Sequence, residues 1–445
     1  MRPANTAAQL STHPSPAAQH EVRRLCLLIE LMILCVACVF VLFGTYARSF
    51  GDTANSRLAT VYSLTEYGTF YIDPVDGAPN RFEQTTIDKV VVNDRMLSSK
   101  PPVLPLLMTG EYIILNTLFG WHLDSPEQTN QIIRVMSMTL IGMPYLLMLL
   151  LFSRMTKWFF RDPFVHVVLL ICLAFCTQLW GYSTNINNHE PGAAMLVVAL
   201  YFALGLGTGH LKPAMWRFFL LGLSSGLVLT IDMPVTIFVV PAALFMLYKF
   251  PMQTFTAAAL GAAIPAGIHA MVLFHYTGNP MPVQMTKDFY LYETSFWRHP
   301  IGIDCLNEPK GTYLFNMTLG KCGLFSLFPV LMIGIAAFIR AGIRPRMAHR
   351  PYILAGGGAF VILSAYYCLT TNNYGGEAYG FRWYIGAMPV LLLMGGGVVE
   401  GLRKRWQWVF FALMMGVSFY SAWECTVTPW AANVGWPTRF LGRTY

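Results

Sequence analysis

The stretch that decides the fold is KPPVLPLLMTGEYIILNTLFG, residues 100–120. Its apolar part runs from Pro102 to Phe119 and is long enough to approach the roughly 20 residues that a helix needs to cross a bilayer. Four residues that suit a lipid-exposed helix poorly interrupt it, namely Pro105, Gly110, Glu111 and Asn116. Whether this segment crosses is important, because each crossing reverses the side assigned to every later loop.

The composition of the whole chain is that of a membrane protein. Hydrophobic residues make up 55% and charged residues 12% of the 445 residues, and the mean hydropathy is +0.49. These values exclude a soluble domain. The net charge of +8 does not indicate nucleic-acid binding, because the basic residues gather at helix ends and form no stripe. Eleven apolar stretches predict membrane spans, near 24–44, 132–153, 163–181, 191–207, 214–231, 234–248, 255–275, 322–340, 352–369, 384–400 and 407–423.

The positive-inside rule decides the topology. If Pro102–Phe119 does not cross, the basic loops near Arg154, Lys212, Arg344 and Lys404 all lie inside. If it does cross, all of them move outside. We therefore predict an all-α integral membrane protein with about eleven spans and a cytoplasmic N-terminus, with Pro102–Phe119 at the interface or packed inside the bundle.

This topology divides the chain into four parts. Residues 1–22 are predicted to be a disordered cytoplasmic tail. Residues 23–275 form a transmembrane module with a large outer loop at 47–131, which is followed by a second outer loop at 276–321 and by C-terminal spans and an outer tail at 322–445. The first outer loop is predicted to carry interfacial helices, among them Thr53–Tyr67, and a small hairpin at 87–96.

Three short motifs occur in one order on the predicted outer face. They are Gly51-Asp52, Lys100-Pro101-Pro102, and the run from Gly375-Gly376 to Gly380-Phe381-Arg382. In this order they resemble the polytopic GT-C glycosyltransferases, in particular the bacterial group related to aminoarabinose transferases and protein O-mannosyltransferases. The resemblance implies a GT-C-like core, a polyprenyl-phosphate-linked sugar donor, inversion at the anomeric carbon and a site on the outer face of a bacterial inner membrane.

The resemblance makes Asp52 the candidate catalytic base, which would take a proton from the acceptor hydroxyl. The structural alternative is a helix cap, worth about 1 kcal/mol. Related enzymes often have two adjacent acidic residues here, whereas this chain has Asp52-Thr53. The sequence therefore identifies no cofactor and leaves a divalent metal open.

The resemblance assigns Lys100 and Arg382 to the donor phosphate, because fixed cations neutralise the leaving polyprenyl phosphate. The alternatives are a snorkelling anchor for Lys100 and an aromatic-belt position for Arg382. Lys287 and Arg298, in the second outer loop, are secondary phosphate candidates.

Four polar residues at outer helix ends and in outer loops are candidates for the acceptor or sugar pocket: His189, Glu190, Asp232 and Glu377. Helix capping is an equal alternative for the loop that precedes His189. Cys305 and Cys322 both fall on the predicted outer face, where they would be able to form a disulfide in an oxidising compartment.

The predicted function is transfer of a sugar from a polyprenyl-phosphate donor to a lipid, glycan or protein acceptor. Two alternatives stay open at this point. A transporter or flippase would move the same lipid-linked sugar without breaking a bond, and a non-catalytic scaffold of the cell envelope would not bring the motif residues together. The sugar, the acceptor, the carrier length and the oligomeric state are not determined by the sequence.

Overall fold

The computed structural model describes residues 16–74, 77–432 and 434–442. Most of these residues are helical, and the only strands among them are β1 (Lys89–Val92) and β2 (Arg95–Ser98), which pair antiparallel as the predicted hairpin. The α-helices are α1 (Pro16–Gly44), α2 (Gly51–Glu66), α3 (Val103–Phe119), α4 (Pro126–Ser137), α5 (Met143–Phe159), α6 (Pro163–Phe175), α7 (Leu179–Tyr182), α8 (His189–Thr208), α9 (Met215–Ile231), α10 (Val239–Lys249), α11 (Pro251–Gln253), α12 (Ala259–Thr277), α13 (Lys310–Thr318), α14 (Leu324–Leu327), α15 (Met332–Ile343), α16 (Arg350–Thr370), α17 (Met388–Glu400), α18 (Arg405–Val427) and α19 (Trp436–Leu441).

Each of the eleven predicted spans coincides with a helix. Seven helical segments are long and apolar enough to cross a membrane, namely 20–44, 126–159, 189–208, 251–277, 350–370, 382–400 and 405–427. Four shorter apolar helices account for the others, at 163–175, 215–231, 233–249 and 329–343. The predicted all-α membrane bundle is therefore confirmed. Helix α1 already begins at Pro16, inside the predicted tail 1–22, and the rest of that tail lies outside the described residues.

Helix α3 matches the segment whose crossing decides the topology. Lys100, directly before α3, and His189, at the start of α8, line the same cavity. An even number of crossings must therefore separate them. The charge pattern predicts that the helical segment 126–159 and helix α6 supply two crossings and that α3 supplies none, and this prediction agrees with an even number.

The first outer loop folds over the bundle instead of extending into solvent. The side chains of Val90 and Val92 on β1 pack in an apolar cluster with Leu273 at the end of α12 and Val283 in the second outer loop. Asn80 is fully buried beneath α2, where its amide donates to the carbonyl oxygen of Ala59 at 2.9 Å. These contacts fix α2 and the hairpin above the membrane-spanning helices.

Helices α9 and α12 approach each other closely because glycines line their contact. A Cβ atom on Gly222 would collide with the carbonyl oxygen of Ala258, and one on Gly226 would lie 2.6 Å from the carbonyl oxygen of Ala262. Small residues four positions apart are a recurrent means of close helix packing in membranes. This contact holds the end of α9, and with it Asp232, in a fixed position.

Candidate active site

A cavity of about 1070 Å³ opens at one end of the bundle, between the first outer loop, the second outer loop and the ends of several spans. We call it the first cavity. Six of the nine predicted site residues line it: Asp52, Lys100, His189, Asp232, Glu377 and Arg382. Segments that are far apart in the sequence thus converge on one space.

Asp52 is not the cap of α2. Phe50 occupies the N-cap position, and its side chain makes no capping hydrogen bond. The Asp52 carboxylate instead accepts a hydrogen bond from the backbone N–H of Ile87 at 2.6 Å, which ties α2 to the loop before β1. Burial raises the pKa of Asp52 above its ordinary value, while the Ile87 hydrogen bond partly opposes the shift.

Lys100 forms an ion pair with Asp88, with 2.7 Å between Nζ and Oδ2. The same carboxylate oxygen accepts a hydrogen bond from the Thr53 hydroxyl at 3.0 Å. Burial raises the pKa of Asp88, but the charge of Lys100 and these hydrogen bonds outweigh it and bring the pKa below its usual value. Burial lowers the pKa of Lys100, and Asp88 partly restores it. Lys100 therefore carries a charge that is already compensated.

Arg382 has no such partner. Its guanidinium carbon lies 4.7 Å from the centre of the Trp430 ring, as in a cation–π contact. Its Nε and Nη1 atoms are buried and have no hydrogen-bond partner among the described residues. Gly375 (φ +94°) lies against the side chain, where a Cβ atom would be 3.2 Å from Arg382 Cγ. The glycine-rich loop thus leaves space for an arginine with unused donors.

Arg57 is a second cation of the first cavity, which the sequence analysis missed. Its side chain is 1% exposed, and it donates from Nη1 to the Thr53 carbonyl and from Nη2 to the Asn188 side chain, both at 2.9 Å. Its Nε has no partner among the described residues. Burial lowers the pKa of Arg57 to about 10, so the group stays protonated at neutral pH. Arg57 follows Asn55 and Ser56 in a helix of mixed polarity, and nothing in the sequence marks it as part of a site.

His189 and Asp232 form a buried pair, with 2.8 Å between Nδ1 and Oδ2. An ionised carboxylate only accepts, so it holds the proton on Nδ1 and leaves Nε2 as the acceptor. Gly192 permits this approach, because a Cβ atom there would be 2.7 Å from Asp232 Cβ.

Asp304 is a further residue of the first cavity that the sequence analysis did not single out. Burial and the nearby charges of Asp88 and Asp52 raise its pKa to about 6, and Arg382 acts in the opposite direction. Asp304 therefore titrates close to physiological pH, in a cavity that also contains Glu377.

Three predicted site residues do not line the first cavity. Glu190 follows His189 but is fully buried, and both of its carboxylate oxygens lack a hydrogen-bond partner among the described residues. Successive helical residues point about 100° apart, so only His189 faces the cavity. The side chains of Lys287 and Arg298 are exposed on the second outer loop, whereas Trp297 lines the cavity and donates to the Ile87 carbonyl at 2.9 Å.

Two further expectations concern metal and disulfide chemistry. Within the described residues, no group of three His, Cys, Asp or Glu side chains is arranged to hold a metal ion. Cys305 is exposed and Cys322 is buried, and both are free thiols, so the disulfide is not formed.

Comparison with known proteins gives matches by structure only. No family model and no curated protein matches the sequence. ArnT from Cupriavidus metallidurans, solved in the apo state, matches with a TM-score of 0.50 and 12% identity, covering 89% of this chain and 62% of ArnT. The Archaeoglobus fulgidus oligosaccharyltransferase matches with a TM-score of 0.49 and 14% identity, covering 91% of this chain and 57% of that enzyme.

The chain thus spans about three-fifths of the length of the ArnT structure that it matches. At this level of identity the likeness concerns the fold alone. The GT-C-like core that the motif order predicts is confirmed, and this chain has the fold of the GT-C membrane glycosyltransferases.

Proposed function

We propose that this protein is a membrane glycosyltransferase that moves a sugar from a polyprenyl-phosphate donor to an acceptor hydroxyl at the outer face of the membrane. The observation that carries the proposal is the first cavity, in which a carboxylate, Asp52, and an arginine with unused donors, Arg382, line the same space. The polyprenyl-phosphate donor is proposed by analogy with ArnT, which has been crystallised with undecaprenyl phosphate bound.

In the proposed reaction the acceptor oxygen attacks the anomeric carbon of the donor. The new C–O bond forms as the bond between that carbon and the phosphate oxygen breaks, and the electron pair leaves with the polyprenyl phosphate. Asp52 takes the proton of the acceptor hydroxyl, a role that its raised pKa favours. Attack from the face opposite the leaving group inverts the configuration of the sugar.

Arg382 is proposed to bind the donor phosphate, because a guanidinium with two free N–H groups can hold two phosphate oxygens. Arg57, on α2, adds a second positive charge to the first cavity. Lys100 keeps a phosphate role in this proposal, but with a weaker effect, since Asp88 already balances its charge. His189, Asp232 and Glu377 are proposed to contact the sugar or the acceptor.

The alternatives differ from this proposal in testable ways. The scaffold alternative requires that the motif residues stay apart, and their convergence on one cavity speaks against it. A flippase would use the same cations without cleaving the donor. Release of free polyprenyl phosphate, measured together with the transferred sugar, separates the two activities.

The test is a transfer assay with purified protein and a panel of polyprenyl-phosphate sugars. We expect Asp52→Asn and Arg382→Ala to lose most activity and Lys100→Ala to lose less. Arg346→Ala, which removes an exposed charge outside the cavity, is the matched control. Full activity of both Asp52→Asn and Arg382→Ala would refute the site assignment.

A further inference from the structure

A second cavity of about 1160 Å³ lies at the other end of the bundle. Helix α8 runs from His189, at the first cavity, to Leu204, at the second. The segment 382–400 likewise begins with Arg382 at the first cavity and ends with Glu400 at the second. At 1.5 Å per residue these two stretches are about 23 and 27 Å long, so the two cavities open toward opposite ends of the bundle.

The interior of the second cavity is apolar. Side chains from five helices or their ends line it, among them Phe160, Leu204, Phe245, Tyr352 and Leu393. Gly397 also lines it, and no atom lies within 4 Å of the position that its Cβ would take. The interior therefore offers room for a hydrocarbon chain and few polar groups that would bind a sugar.

The rim of the second cavity carries three arginines, Arg161, Arg340 and Arg403. Among the described residues, no ion pair joins any of these guanidinium groups to a carboxylate. The rim also carries two carboxylates, which accept backbone hydrogen bonds and leave the three arginines in excess. Glu400 accepts from the backbone N–H of Arg161 at 2.7 Å, and Asp162 caps α6 by accepting from the N–H of Phe164 at 2.9 Å.

We propose that the second cavity binds an anionic phospholipid, with an acyl chain inside and the phosphate among the three rim arginines. Charge complementarity is the reason for this occupant, because arginines without carboxylate partners at the mouth of an apolar cavity suit a phosphate attached to hydrocarbon. The aromatic lining and the open space beside Gly397 suit the chain. The inference goes beyond the glycosyl transfer proposed for the first cavity and does not rest on it.

The experiment measures lipid binding to the full-length protein in detergent by native mass spectrometry and by the shift of its thermal unfolding. The probes are phosphatidylglycerol and phosphatidylcholine of equal chain length, and undecaprenyl phosphate. We expect phosphatidylglycerol to bind about tenfold more tightly. Arg340→Ala/Arg403→Ala should reduce its affinity about 10- to 30-fold, because two phosphate contacts are lost.

The matched control is Arg344→Ala/Arg346→Ala. It removes the same charge from exposed positions on the same end of the bundle that do not line the cavity. We expect its affinity for phosphatidylglycerol to stay within about twofold of the parent. If both double variants lost the same affinity for phosphatidylglycerol, general surface charge would explain the binding, and the proposal would be overturned.

Filling the cavity tests the position of the chain. Gly397→Phe places a ring in the open space and should abolish phosphatidylglycerol binding, whereas Gly397→Ala adds one methyl group and should retain it. Unchanged binding to a folded Gly397→Phe protein would place the lipid elsewhere and refute the proposal. Stronger binding of undecaprenyl phosphate than of phosphatidylglycerol would contradict the assigned occupant.

Discussion

The two cavities have nearly the same volume, about 1070 and 1160 Å³, but opposite chemistry. The first is lined by loops and by the N-terminal ends of α2 and α8, and its charged groups come from segments that are far apart in the sequence. The second is lined mainly by apolar side chains of α8, α10, α16 and α17, with charges only at its rim. Volume alone therefore does not indicate catalysis. The difference lies in whether acids and cations meet inside the cavity.

The largest effect should come from Arg382→Ala. Loss of the arginine with unused donors should lower the rate of sugar transfer about 10²- to 10³-fold, as for the loss of other groups that stabilise developing charge. Arg382→Lys should recover only part of the rate, since an ammonium does not bind two oxygens in a plane.

The same variant tests whether the two cavities are separate sites. We expect Arg382→Ala to leave phosphatidylglycerol binding unchanged, because Arg382 lines the first cavity and not the second. If Arg382→Ala lost both sugar transfer and phosphatidylglycerol binding at an unchanged unfolding temperature, the two cavities would be coupled.

The next effect concerns stability. Asp88→Asn leaves the Lys100 charge buried without its partner, which should lower the free energy of unfolding by about 3–5 kcal/mol. The double variant Asp88→Asn/Lys100→Met removes both charges and should be more stable than the single variant. The measurement is the unfolding midpoint in detergent, compared across the four members of the cycle. Equal destabilisation in the single and double variants would contradict a buried ion pair at this position.

A smaller effect is expected for the buried pair His189–Asp232. Asp232→Asn keeps the shape of the side chain but no longer holds the proton on His189 Nδ1. The transfer rate should fall about tenfold, in line with the loss of one hydrogen bond to a charged group. The variant Asp232→Glu restores a carboxylate at this position and tests for rescue. If Asp232→Asn raised the KM for the acceptor and left kcat unchanged, the pair would serve binding alone.

The spans and the convergence of the three motifs could be predicted from the sequence because both depend on simple physical rules. A bilayer requires long apolar helices, and the distribution of arginine and lysine between loops gives the parity of crossings. These rules place Asp52, Lys100 and Arg382 on one face of the membrane, and in the folded chain all three line one cavity.

The partners of these residues could not be predicted in the same way. Asp88 belongs to a loop whose sequence indicates only an architectural role, and only the fold brings it to Lys100. Glu190 and His189 are adjacent in the sequence, but the helix turns one of them into the core. Arg57 lies in α2 among residues of mixed polarity, where composition gives no reason to assign a function. Which side chains form pairs, and which way each side chain points, are decided only when the chain folds.

The smallest effect should be a pH dependence that arises from Asp304 in the first cavity. The pKa of Asp304 is raised to about 6, chiefly by burial and then by the charges of Asp88 and Asp52. Below pH 6 the carboxyl is neutral, and above it a negative charge faces the donor phosphate. A phosphodiester donor keeps a single charge across this range, so the affinity for the donor should fall as the pH rises through 6. We expect a change in KM of about threefold to tenfold, because the half-buried charge is partly screened.

Asp304→Asn isolates this effect, since it removes the titrating group and keeps the shape of the side chain. The KM for the donor should then stay flat between about pH 5 and 7.5, at the value that the parent reaches at low pH. Phosphatidylglycerol binding at the second cavity should respond to pH equally in the parent and in Asp304→Asn, because Asp304 does not line that cavity. If the inflection in KM persisted in Asp304→Asn, another group of the first cavity would be responsible for it. The next residue to replace would be Asp52, because burial raises its pKa as well.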